Sequence, residues 1–149
     1  DTKPTDSVWS IGTKTHHNTS GAASIAYCFT QINGFSKFGL YKGNGNANGS
    51  YIYCGFRPKW LMIKKWDDTE DWFVKSPVVT GYGVGGTLTR TLKFSDNTSS
   101  TNCTVNITAT GFRPTTTDGK ANGDGNIYLY MAFADHPIVG SNGTIALAI

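Results

Sequence analysis

A chain of 149 residues, 38% hydrophobic, 15% charged and carrying a net charge of +3, is sized for one domain, 1–149, that buries about two-thirds of its unfolded surface. A single glutamate (Glu70), 18 glycines and no ten-residue run of 3.6-period apolar spacing argue against helical architecture. No run approaches the roughly 18 apolar residues of a membrane span, and no signal-peptide pattern precedes the body.

In chain order, the strand candidates are Ser7–Gly12, Ala23–Phe29, Phe35–Tyr41, Tyr51–Phe56, Trp60–Lys65, Trp72–Lys75, Thr87–Phe94, Thr104–Thr110, Ile127–Ala134 and Thr144–Ala148. Apolar and polar residues alternate in Phe35–Tyr41 and Tyr51–Phe56, the period of a half-buried strand. Between them, Gly43–Gly49 (GNGNANG) supplies residues that tolerate positive φ. Trp60–Ile63, bounded by Pro58 and Lys64–Lys65, is too short for a helix and reads as a buried strand. Gly81–Gly86 and Thr115–Asn126 look like the most flexible connections. Turn signals at this spacing predict an all-β fold, an antiparallel, jelly-roll-like β-sandwich.

Two echoes run through the chain. Asn18–Phe29 resembles Asn122–Phe133; the echo reflects either the shared chemistry of β-hairpins or two strands, at Ile25 and Ile127, side by side in one sheet, and adjacency is the expectation. Gly55-Phe-Arg-Pro58 recurs as Gly111-Phe-Arg-Pro114.

Three cysteines (Cys28, Cys54, Cys103) cannot all pair within the chain. They read as buried thiols or as one cross-strand disulfide plus a thiol, and their spacing does not suit a metal. Seven basic residues and no acid lie between Ser7 and Trp66. Gathered on one face they would attract a phosphate-rich lipopolysaccharide or nucleic acid; scattered along strand edges they would discourage aggregation. Scattering is the expectation.

The motifs for chemistry are weak. His16 and His17 would point to opposite faces of a strand. Asp118–Asn126 alternates oxygen ligands as a calcium loop does, but Lys120 and Leu129 stand where an acidic ligand and the bidentate glutamate belong. Asp67-Asp68-Glu70-Asp71 is the one carboxylate cluster. A general acid needs shielding from water, and a four-acid turn is ordinarily solvated. Trp66 and Trp72 bracket it and either face the core or, with Tyr82 or neighbouring tyrosines, make a candidate sugar-stacking platform. No nucleophile elbow or phosphate loop occurs. The expectation is no enzyme, no cofactor and no metal.

Trp9–Gly12, Asn18–Gly21, Ile25–Phe29, Gly34–Gly39, Tyr41–Gly45, Gly55–Pro58, Trp60–Lys65, Ile127–Ala134 and Pro137 together resemble a β-rich module of uncharacterised function. That module lies near the carboxyl ends of bacteriophage virion structural proteins, above all tail-fibre-like polypeptides of marine and cyanobacterial phages. With the start at Asp1 in place of Met, the resemblance implies a processed product or a carboxyl-terminal module of a longer virion protein. It would be made in the host cytoplasm and carried on the virion surface.

The resemblance also implies host attachment as a receptor-binding, carbohydrate-binding fibre domain. The alternative it leaves is a capsid decoration or cement protein. Expected partners are other virion subunits, further copies of the chain (a trimer, as in many fibres) and a host cell-surface glycan, without nucleic acid or membrane insertion. The likeness is poorest in Trp72–Thr110, so the sequence assigns ligand binding there and in neighbouring loops, to Trp66, Trp72, Tyr82, Asn97 and Asn102.

Overall fold

The computed structural model describes residues 5, 7–13, 18–80, 86–93, 99–100 and 103–136. Its elements are β1 (Ser36–Lys42), β2 (Ile52–Tyr53), β3 (Pro58–Lys65), β4 (Phe73–Lys75), a helical turn α1 (Pro77–Thr80), β5 (Thr87–Leu88), β6 (Thr91–Lys93), β7 (Ser99–Ser100), β8 (Val105–Ile107), β9 (Gly111–Pro114) and β10 (Ile127–Ala134). The fold is the expected all-β sandwich of two antiparallel sheets.

One sheet has the order β1-β10-β3-β4-β6-β7 and the other β2-β9-β8-β5. Strands β1, β2 and β3 alternate between sheets, and β9 and β10 return beside them, as in a jelly roll. The centre is β10, with Leu40↔Leu129 on one side and Met131↔Met62 on the other.

Period-2 alternation explains the core. Tyr41, Leu61, Ile63, Tyr128, Tyr130 and Ala132 of the six-stranded sheet meet Ile52, Leu88, Val105, Ile107 and Phe112 of the four-stranded one. The Phe112 ring sits edge-on to Tyr41 at 5.9 Å and to Tyr130 at 5.4 Å, a favoured aromatic geometry.

Among the described residues, buried side-chain polar groups are paired, as burial demands, with Thr115 Oγ1 the exception. Tyr41 Oη donates to Ala121 O at 2.6 Å and Tyr128 Oη to Gly119 O at 2.6 Å. Fully buried Asn122 clamps the Gly43–Gly49 turn: its Oδ1 accepts from Asn44 N, and its Nδ2 donates to Asn44 Oδ1, Asn46 O and Thr116 O. Thr115–Asn126, expected to be a flexible connection, is therefore packed around Asn122 and Ala121.

Several other expectations are corrected. Ser7–Gly12 and Ala23–Phe29 are not strands, and Ile25 and Tyr27 are 82% and 81% exposed. The Ile25 segment cannot lie beside β10, because β1 and β3 occupy both of its edges. Cys28 is consequently exposed rather than buried, while Cys54 and Cys103 are buried and all three are free.

Thr87–Phe94 breaks into β5 and β6, which enter different sheets. At the break, the Lys75 ammonium donates to the carbonyls of Leu88, Thr89 and Arg90 at 3.3, 3.5 and 3.1 Å. Thr104–Thr110 shortens to β8, and Gly111–Pro114 forms an additional strand. Thr144–Ala148 lies outside the described residues.

Candidate functional site

The outward faces of the two sheets differ in chemistry. On the six-stranded sheet, register puts Phe38 and Leu40 of β1, Leu129, Met131 and Phe133 of β10, Trp60 and Met62 of β3, Val74 of β4 and Leu92 of β6 on the side away from the core. Phe133 is the centre of a ring cluster, with Trp60, Phe38, Phe35 and Phe29 centroids at 5.6–5.9 Å. Leu40 remains 54% exposed.

The four-stranded sheet instead presents Tyr51, Tyr53, Asn106 and Arg113 on its outer side, because Ile52, Val105, Ile107, Phe112 and Pro114 take the inner positions. Asn48, Tyr51, Asn106, Thr108, Arg113 and Thr115 line an open groove of about 400 Å³ there. Tyr51, 43% exposed, has its hydroxyl 2.7 Å from Thr110 Oγ1 and 3.2 Å from Thr108 Oγ1. Arg113 Nη1 donates to Asn48 Oδ1 at 2.5 Å, which holds the guanidinium on the groove wall. Thr115 Oγ1 is buried without a hydrogen-bond partner among the described residues. Hydroxyls, amides, a guanidinium and one aromatic ring on a rigid sheet form a surface matched to polyhydroxylated ligands. Its volume lies within the usual small-ligand range of roughly 300–1,000 Å³.

The sequence-predicted sites fare unevenly. Trp66 and Trp72 are 63% and 42% exposed and bracket the β3–β4 turn of the other sheet. Tyr82, Asn97 and Asn102 lie outside the described residues. The acidic turn is tied to lysines: Lys65 Nζ lies 2.7 Å from Asp68 Oδ2, and Lys93 Nζ lies 3.2 Å from Asp71 Oδ2. The Lys65 hydrogen bond holds the Asp68 carboxyl below the usual carboxylate range, opposite to what a proton donor needs.

Cys54 lines a smaller cavity of about 210 Å³ with Lys37 and Tyr53. Burial pushes its thiol up to about 12, so it stays protonated and a poor nucleophile at neutral pH. Among the described residues, no group of three or more His, Cys, Asp or Glu side chains is placed to hold a metal. In Asp118–Asn126, Asp118 Oδ1 accepts from Lys120 N at 2.8 Å and Asn122 Oδ1 from Asn44 N at 3.1 Å. No helix among the described residues is long and apolar enough to cross a membrane.

The basic run is scattered rather than gathered. Lys37 lies over the Tyr53 ring with its Nζ 5.3 Å from the centroid, Lys59 pairs with Asp135, and Lys64 donates to the carbonyls of Lys65 and Asp68. Lys14 lies outside the described residues.

Sequence reasoning missed the groove because its residues come from three separated segments and from ordinary residue types. The signal available was indirect, a Thr/Asn-rich stretch alternating with Val105, Ile107 and Phe112. A family model described as a domain of unknown function, DUF7483, matches residues 1–137. No curated protein and no solved structure matches the chain.

Proposed function

We propose that the chain, which belongs to the DUF7483 family, a domain of unknown function, is a non-enzymatic virion surface module, a tail-fibre or appendage domain that binds a host cell-surface glycan: the virion placement rests on the resemblance of its motifs, the glycan binding on its geometry. The observation that carries the reading is the polar groove on the outer side of the four-stranded sheet. Tyr51 offers a ring face for stacking on a pyranose, while Arg113, Asn48, Asn106 and Thr108 offer donors and acceptors for its hydroxyls. Trp66 and Trp72, exposed at the β3–β4 turn, are a second stacking position on the same module.

The test is binding of the full chain to immobilised lipopolysaccharides and capsular polysaccharides. The expected result is saturable binding to at least one polysaccharide, weakened about tenfold or more by Tyr51→Ala, the order of loss that follows from about 1.4 kcal/mol. Binding that Tyr51→Ala leaves unchanged, or none at all, would overturn the assignment. An architectural role as a decoration or cement subunit draws its support from the apolar outer face of the six-stranded sheet. It predicts binding to other virion subunits without sugar affinity.

A further inference from the structure

Ala23–Phe29, within the segment 18–31, has the alternation of a strand and, among the described residues, no partner strand. Ile25, Tyr27 and Phe29 alternate with Ala26 and Cys28, yet no strand ladder involves residues 18–31 among the described residues. The Phe29 ring already reaches the outward apolar face, 6.2 Å from Phe38 and 5.7 Å from Phe133. Val8 and Trp9 line a cleft with Cys28 and Phe29, so residues 7–12 and 18–31 make one apolar arm beside the sheet.

Among the described residues, the sheet has a matching open edge. Strand β1 is an edge: β10 pairs one side, and among the described residues the other side meets only an isolated bridge between Ile32 and Ser36, which leaves the stretch from Lys37 onward without a partner strand. An extended edge with a free row of N–H and C=O groups is a template for another strand. Leu40, on that edge, also belongs to the apolar outer face.

We propose that the arm of one copy of this chain docks against the β1 edge and outer face of the six-stranded sheet of a second copy. Each chain carries both halves of the contact, a strand-patterned arm and a strand-accepting edge, so the natural occupant is another copy rather than a foreign subunit. The area agrees. Val8, Trp9, Ile11, Ile25, Tyr27 and Phe29 expose between 42% and 82% of their surfaces. Taking ~200 Å² for a large side chain, the arm offers roughly 750 Å², close to the ~800 Å² each partner contributes to a standard stable interface. The contact uses the face opposite the polar groove, so it stands or falls separately from the sugar-binding reading.

Sedimentation velocity of the full chain between ~1 and ~100 μM, at or above the weakest (about micromolar) dissociation constants of interfaces of this size, tests the proposal. Wild-type chain is expected to sediment as a closed oligomer. The double variant Ile25→Asp, Tyr27→Asp and the single variant Leu40→Lys are each expected to sediment as monomers. All three residues are exposed, so at dilutions where the wild type is itself monomeric both variants should unfold at its midpoint, which separates lost association from lost folding. A wild-type monomer across the whole range would overturn the proposal. So would an oligomer that persists in either variant.

Discussion

Lys75 is fully buried, and the hydrogen-bond acceptors around its ammonium are the carbonyls of the β5–β6 turn. Burial lowers its pKa from 10.5 to about 8. In the unfolded chain the amine keeps its proton to about pH 10.5, whereas in the folded protein it releases it near 8. Between these values the unfolded state binds more protons, so stability rises with pH; below 8 the burial cost is present in full. From pH 7 to 9 this linkage amounts to about 1.3 kcal/mol.

Other groups titrate in the same range with the opposite sign. Burial pushes the Cys54 and Cys103 thiols up to about 12 and about 11, so near pH 9 their ionisation favours the unfolded chain. The clean quantity is therefore the difference between wild type and Lys75→Met, which share the thiols. Urea unfolding at pH 7, 8 and 9, followed by tryptophan fluorescence, should show the wild type gaining about 1 kcal/mol on the variant across the series. Parallel stability profiles would refute the assignment of a neutralising, carbonyl-bound lysine.

Two further outcomes follow from burial and pairing. Ellman's reagent should titrate one thiol per native chain, Cys28, and three in denaturant; two or more in the native protein would contradict the buried placement of Cys54 and Cys103. Asn122→Ala should cost about 2–4 kcal/mol in urea unfolding, because it leaves Asn44, Asn46 and Thr116 groups without their buried partner. A loss below about 0.5 kcal/mol, the range of an ordinary surface change, would mean that the turn is not clamped from inside.

The centre of the fold was legible in the sequence because it is specified twice. In β10 and β3, nearly continuous apolar runs (Ile127–Ala134 and Trp60–Ile63) reflect strands apolar on both faces, and the expected bounds of β10 are those observed. The arm was misread for the opposite reason. Ile25-Ala-Tyr-Cys-Phe29 has a strand's alternation, but alternation says only that one face wants covering, not that this chain supplies the cover.

Gly111–Pro114 was missed because glycine and proline usually punctuate strands. Here a Cβ at position 111 would fall on the Ile52 carbonyl, so glycine is what lets β9 lie against β2. Of the residues assigned to binding from sequence, Trp66 and Trp72 are exposed as a binding role requires. The polar groove drew on Asn48, Tyr51, Asn106 and Arg113, which only the sheet order brings together.

The proposed role has the module carried on the outside of a particle with its four-stranded sheet directed outward. The most direct measurement is electron microscopy of the intact native particle decorated with a gold-labelled antibody fragment against the Tyr51–Arg113 face. Label on projecting fibres or appendages of undisrupted particles is the predicted result. Label that appears only after the particle is taken apart, from between capsid or tube subunits, would contradict the claim.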